Sequence, residues 1–559
     1  MRPYVVGLAG LVGLLAGCVG RIESPGSGPA QEPPTTTTPS TPVAPADPRA
    51  CADDTLSPTP RLRRLAFAEY DRSVRDLLTL DVSPSTELGP EVAGVTPTLW
   101  SGVKVAASQV AARFAADGAA FARVVGCGAT PDADACAADF MTRFGRRAYR
   151  RPLTTEESER YAALWAARAE LTETGSFEEG IALLVEAMLQ SPGFLLRVER
   201  GAAVDGVVAL DGYERATRVA YALWGAGPDD ALLDAAAAGE LDTAAGVRQQ
   251  ALRMVGPEFD PRVAAMLQWV HAEWLGMGGA YAQFWSNTQR DPALFPEFYP
   301  GIDAEFREEV LRSIESVFLS DGGFQALFTG AETQVTPALA SIYGVAHPTG
   351  AGWAPVTLDP ALRPGILSRA GFLGTHGRYT RGSLIYRGAF VQKRVLCRAI
   401  GAPPAGADAT PLPESTENLR TTRQRIEAMT AAPSCAQCHK ELINPAGFPL
   451  EFFDGIGRHR TTDNGEAVDG SATLVLDGKE ITVDSPKAYA EALGSSFEAP
   501  RCYVDRFIEY TFADGAARLG CEDVRLADYL ADPQHSLRGF LVELVSSPRF
   551  LTRAAEEAQ

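Results

Sequence analysis

The stretch Arg143–Leu171, "RFGRRAYRRPLTTEESERYAALWAARAEL", sets the character of the chain. Pro152 has no amide hydrogen to give a helix and restricts the residue before it, so a first helix ends there. Thr154 and Glu157 then stand at capping-box spacing ahead of Tyr161, Leu164 and Trp165, which starts a second. Helix, sharp break, helix: the reading is mainly α. The five arginines of "RFGRRAYRR" read as a solvated helix end paired with neighbouring acids rather than as an anion site.

Working outward, the same period recurs. "RLAFAEYDRSVRDLLTL" places Tyr70, Val74, Leu77 and Leu78 on one stripe. "LDGYERATRVAYALWGAGPDDALLDAAAAGEL" reads as two helices about a Gly/Pro turn, with Asp229 and Asp230 at a helix start where capping explains them. Helical spacing continues through "PRVAAMLQWVHAEWLGM", "AEFREEVLRSIESVFLS", "DRFIEYTFADG" and "LRGFLVELVSS". Met266, Trp269 and Trp274 on these helices read as core packing, not as a cofactor box. Strand signal is sparse, and its clearest case is "TLVLDGKEITV", two alternating runs about Asp477-Gly478, a type I′ hairpin signature. The expectation is a mainly α, multi-domain helical protein with a c-type-haem-like domain and a short β-hairpin.

The start, "MRPYVVGLAGLVGLLAGCVG", has one basic residue, an apolar run too short to span a bilayer, and small residues before Cys18. It reads as an export signal over residues 1–18, and "LLAGC" resembles a lipobox that would make Cys18 the lipidated residue. Residues 19–49 are crowded with Pro, Thr, Ser and Gly and read as a disordered tether. Breaks in the remainder suggest helical domains over 50–135, 136–203 and 204–350, a domain carrying the motif below over 351–470, and a hairpin and helical domain over 471–559.

Lys and Arg number 51 against 70 Asp and Glu, a net charge of -19 that repels nucleic acid and suits a basic partner. Of nine cysteines, Cys18 is assigned to lipid and Cys435 and Cys438 to a motif. Six remain, enough for three disulfides in an oxidising compartment. Cys127 with Cys136 and Cys502 with Cys521 are the local pairings expected first.

The motif is Cys435-Ala436-Gln437-Cys438-His439, the C-x-x-C-H pattern of c-type haem attachment. In that chemistry two thiols add to the haem vinyl groups and the adjacent histidine ligates the iron. Three other readings stand beside it: a zinc site, for which His459 is the one obvious extra ligand; a redox pair; and a structural disulfide. The following residues suit haem. The Asn444 and Pro445 carbonyls lie close to His439 as acceptors for its second nitrogen, Phe448, Leu450, Phe452 and Phe453 offer apolar cover, and Arg458 and Arg460 could pair with propionates.

"CAQCHKELINPAGFPLEFFDGIGRHR" resembles the signature of planctomycete-type cytochrome c proteins, large exported bacterial proteins built from successive domains of unknown function. "RLAFAEYDRSVRDLLTL", "RFGRRAYRRPLTTEE", "RVAYALWGAGPDDALLDAAAAGEL", "GILSRAGFLGTHGRYTRGSLIYRGAFVQKRVLC" and "CYVDRFIEYTFADGAARLGC" each resemble a further family block. The resemblance implies a haem-bearing surface or periplasmic protein and supplies no reaction. The chain departs from the family at Asn444, usually Asp, and at His459, usually aromatic; the second departure argues that His459 is not an inherited iron ligand. For the sixth iron position His376, in a family-like block, is the first candidate and Met429 ranks below it. His347 or an open site is the remaining choice.

The expected function is a lipid-anchored, single-haem c-type electron-transfer protein of the cell envelope, facing the periplasm or the cell surface, with a redox partner protein of basic surface, a membrane anchor and no nucleic acid. A haem peroxidase or oxidase is a second class, and a non-redox scaffold or glycan-binding protein a third. No G-x-S-x-G, H-E-x-x-H or phosphate loop is present, so no hydrolytic or transferase site is identified.

Overall fold

The break at Pro152 is where the sequence places it. One helix spans Ala133–Tyr149 and ends on Arg150 in the left-handed region (φ 61°). The next spans Thr155–Ala166, with the Glu157 amide donating to Thr154 Oγ1 at 3.2 Å and the Thr154 amide to Glu157 Oε2 at 2.8 Å. Four of the arginines around the break pair with acids: Arg143 with Asp139, Arg146 with Asp234, Arg147 with Asp76 and Arg151 with Glu157. Arg150 departs from the expected solvated end. It is buried and donates to the carbonyls of Gly193, Phe194 and Leu196 at 2.8–3.0 Å.

The computed structural model describes residues 49–555 apart from 52–53, 57–58, 92–93, 128–131, 202, 257–259, 278–288, 349, 351, 402–410 and 513–517. The export segment with Cys18, and the tether up to its last residue, lie outside the described residues. Among the described residues no helix is long and apolar enough to cross a membrane.

The architecture is mainly helical with several small antiparallel sheets. Helices Phe67–Leu78, Pro97–Ala116, Ala133–Tyr149 and Phe177–Leu189 share a core that includes Tyr70, Val74, Phe114, Phe140 and Leu184. A larger core joins helices Gly212–Trp224, Pro261–Trp274, Ile302–Leu319, Glu498–Phe512 and Leu537–Ser546 to the segment carrying the C-x-x-C-H motif. Met266 and Trp274 are buried in it and Trp269 packs against it, as core residues. Truncating a fully buried aromatic such as Trp224 or Phe318 would cost about 3–5 kcal/mol. A third cluster gathers Phe295, Phe306, Leu339, Ala370 and Ile456.

The strands act as clasps between distant segments. Leu62–Arg64 pairs antiparallel with Leu196–Val198, and Thr552–Ala554 pairs with Val207–Ala209. The hairpin Ala472–Leu476 and Lys479–Val483 turns through Asp477 (φ 51°) and Gly478 (φ 74°), the two positive values that a type I′ turn requires. Asp229 caps its helix, accepting from the Leu232 amide at 2.9 Å.

Among the described residues three disulfides form. Cys127–Cys136 is the local pair expected. The expected Cys502–Cys521 pair is not made: Cys502 bonds Cys397, and Cys521 bonds Cys51, 470 residues away. Cys502 sits on the helix Glu498–Phe512 with its sulfur 3.2 Å from the Arg394 carbonyl, on the Cys397 side. Cys521 opens the next helix, where its amide donates to Asp54 of the N-terminal segment at 3.0 Å.

Candidate functional site

The motif lies on the helix Pro433–Cys438, begun by a proline whose missing amide hydrogen costs nothing at that position. At His439 the chain widens into a π-turn, His439–Ile443, and then narrows through Asn444–Gly447. Such turns recur at functional sites. Cys435 and Cys438 are half-buried free thiols.

The orientation of His439 follows from a chain of hydrogen bonds read outward from a carbonyl. Thr430 donates its hydroxyl to the Ile426 carbonyl at 2.8 Å, so Thr430 Oγ1 accepts from Asn444 Nδ2 at 3.0 Å. That bond turns Asn444 Oδ1 toward His439, 3.1 Å from Nδ1. An amide oxygen only accepts, so Nδ1 carries the ring proton and Nε2 keeps its lone pair. Asn444 is buried, which fixes the relay. The expected acceptors were the Asn444 and Pro445 carbonyls; the Asn444 side chain takes their place because the wider turn brings it beneath the ring.

His376 presents the same tautomer. Its Nδ1 donates to the Phe372 carbonyl at 2.9 Å, and its ring packs on Phe372 and Phe390 with centroids 4.7 and 5.1 Å away. Burial, then the nearby Arg387 charge, against the Phe372 bond, push its pKa down to about 4, so it is neutral at pH 7. Phe390 closes the helix Leu384–Phe390, which packs against the motif's π-turn. Met429 ends the helix Thr422–Met429, half-buried beside Thr430. His347 bonds the Gly352 carbonyl at 3.1 Å. His459 stacks on Phe452, ring planes within 3°, and meets Phe453 edge-on, which gives it a packing role.

Among the described residues no three His, Cys, Asp or Glu ligand atoms converge at the motif. The one converging group, Cys51, Asp54 and Cys521, has its two sulfurs bonded to each other. A zinc site built on Cys435, Cys438 and His459 is therefore not assembled.

Arg458 and Arg460 do not stand free as the sequence suggests. Arg458 is paired with Asp454 at 2.7 Å and Glu297 at 3.3 Å, and Arg460 with Asp463 at 2.7 Å. Leu450 and Phe453 are committed to the core, whereas Phe448 lines a cleft of about 640 Å³ beside the motif. Ala436, Lys440, Asn444, Thr430 and Arg423 share that lining. Arg423 lies over the Phe448 ring at 4.3 Å, and Lys440 is exposed without an ion pair among the described residues.

One hub of the site is not visible in the sequence pattern. Arg387 is fully buried and donates to the carbonyls of Leu450 and Phe453 (2.9 Å each), Leu373 (3.0 Å) and Asp454 (2.7 Å). It ties the segment approaching His376 to the loop that follows the motif. Burial pushes its pKa down to about 9, so it stays charged at neutral pH.

Three family models match the chain, each described as a protein of unknown function: PSCyt3 (DUF1588) over residues 363–463, PSD4 (DUF1592) over 210–345 and PSD5 (DUF1595) over 136–199. These three domain families support the resemblance to planctomycete-type cytochrome proteins. The PSCyt3 region contains His376, Arg387, Cys435, Cys438, His439 and Asn444, the residues whose geometry is given above. No curated protein and no solved structure was found to match the chain.

Proposed function

We propose that this protein is an exported, lipid-anchored, single-haem c-type electron-transfer protein, with haem joined through Cys435 and Cys438 and His439 as the iron ligand. The observation that carries this reading is the Thr430–Asn444–His439 relay, which leaves Nε2 unprotonated and aimed by a buried amide, as a ligating imidazole needs. The free thiols, three residues apart on one helix, fit the attachment chemistry. Bound haem supplies a one-electron couple whose potential is tuned by axial ligand and burial.

The chain's own residues do the rest. Asn444 holds the ring, and Phe448 gives the neighbouring cleft an apolar wall. Lys440 would be the cation to meet a propionate, since Arg423, like Arg458 and Arg460, is already paired, with Glu427 and Asp469. His376, neutral with a free Nε2, is the proposed distal ligand, ahead of Met429. Lipid on Cys18 and the tether over 19–49 would hold the folded part off a membrane surface of the cell envelope.

The test is a pyridine haemochrome spectrum of the chain exported in a host with haem-attachment machinery, beside the Cys435→Ala/Cys438→Ala variant. The expected result is a c-type spectrum at one haem per chain that the variant loses. A chain that stays colourless while a control cytochrome matures would overturn the reading.

A further inference from the structure

Arg378 and Arg381 stand on the loop closed by the Gly377–Gly382 bridge, with the Arg378 amide donating to the Arg381 carbonyl at 2.6 Å. A third arginine, Arg425, lies on the helix Thr422–Met429 and spends one donor on the Pro413 carbonyl at 2.6 Å. None of the three has an ion pair among the described residues, in a chain whose acids outnumber its bases by 70 to 51. Asp291 is in contact with the loop, its amide donating to the Tyr379 carbonyl, but its carboxylate is turned to the Ala293 amide at 2.9 Å. Arg381 feels the other two: burial first, then Arg425 and Arg378, hold it below its usual value.

Exposed aromatics accompany them. Tyr379 is 52% and Tyr386 38% exposed, and the Arg378 guanidinium lies 4.2 Å from the centre of the Tyr386 ring. That contact orders the arginine before anything binds, which lowers the entropic cost of association. Arginine and tyrosine are, with tryptophan, the side chains enriched at the energetic centres of protein interfaces.

We infer that Arg378, Tyr379, Arg381, Tyr386 and Arg425 form a docking surface for an acidic protein partner. The inference goes beyond the proposed function, because it holds whether or not haem is attached. The residues lie on one loop and two helices and line none of the clefts described above, which favours a protein face over a small anion. Three arginines also fall short of the four to eight clustered cations typical of anionic-lipid recognition. The local surface thus selects a partner opposite in charge to the basic one suggested by the net charge. Its place on the helix Leu384–Phe390 and the loop before it would seat the partner on the element that supports the motif's π-turn.

The experiment measures fluorescence anisotropy of a labelled Glu/Asp/Tyr-rich peptide against the full chain at low salt, beside its Gln/Asn counterpart. Arg378→Ala/Arg381→Ala/Arg425→Ala should weaken binding about tenfold, and the corresponding Arg→Lys variant should retain most of it. The variant Lys104→Ala/Arg113→Ala/Arg160→Ala removes the same charge from the N-terminal helices and should change little. Equal losses in the two alanine variants, no binding of the acidic peptide, or binding only to vesicles of phosphatidylglycerol and phosphatidylcholine would each overturn the inference.

Discussion

At the scale of single residues, function rests on which side chains are held and which are left free. His439 is held by one bond, and removing it tests the relay. In the haem-loaded chain, Asn444→Ala should let cyanide displace the imidazole at roughly 10–100-fold lower concentration, the usual cost of losing an outer-shell partner; an unchanged cyanide titration would show that Asn444 does not position the ring. Glu451 makes a second case, because it is fully buried, one oxygen accepts from the Arg423 amide at 3.1 Å, and the other has no partner. Burial, opposed by Arg460, raises its pKa to about 7. The folded state thus holds the proton more tightly than the unfolded one. Its stabilising effect is complete below the unfolded value of ~4.3 and lost as pH rises through about 7. The loss should be on the order of 3 kcal/mol between pH ~4 and ~8, read by urea unfolding, and Glu451→Gln should flatten that part of the profile. His376 runs the other way: with its pKa lowered to about 4, its contribution is present above ~6.5 and lost as pH falls toward 4.

At the scale of elements, the site depends on close contact between two short helices. A Cβ on Gly447 would lie 2.2 Å from the Leu384 carbonyl oxygen, and one on Gly388 would lie 2.0 Å from that of Ile443. Both obstacles are backbone, so they cannot swing away. Gly447→Ala should therefore cost about 1–3 kcal/mol by overpacking and shift the motif relative to Leu384–Phe390. Chemical denaturation would measure the first effect, and an altered haem spectrum the second. A neutral substitution would show that the helices can separate freely. Beside this crossing, Gln392 Nε2 donates to the Leu442 carbonyl at 3.0 Å, joining a second π-turn, Val391–Val395, to that of the motif. Helical period made the long helices legible, Thr154 and Asp229 marked helix starts, and Asp477-Gly478 marked the hairpin turn, because caps and tight turns are local chemistry. The π-turns, the glycine crossing and Arg387 were not legible. Each is set by what packs across from it, and neither periodicity nor composition carries that information. The Arg458–Glu297 pair was not legible for the same reason, since the two lie about 160 residues apart.

At the scale of the whole molecule, residues Pro45–Gln559 form one compact unit whose ends are tied to its middle. Local spacing was enough to pair Cys127 with Cys136, nine residues apart, because a short loop allows few alternatives. It failed for Cys521, whose partner arrives only when the N-terminal segment lies across the C-terminal helices. Asp54 marks that crossing twice, accepting from the Cys521 amide and from Arg549 at 2.7 Å. The bond Cys51–Cys521 thus closes nearly the full length of the folded chain, where the loop-entropy argument predicts a large constraint on the unfolded state. Cys51→Ser/Cys521→Ser should lower unfolding stability by about 2–5 kcal/mol, with the Asp54–Arg549 pair loosened and the His439 environment unchanged. Urea unfolding with and without reductant separates the outcomes. Reductant should shift the midpoint of the native chain more than that of the variant, because the variant has already lost the longest loop. Equal shifts would assign the redox sensitivity to Cys397–Cys502 and Cys127–Cys136 instead. The clasp would then be a consequence of a fold already complete, not one of its supports.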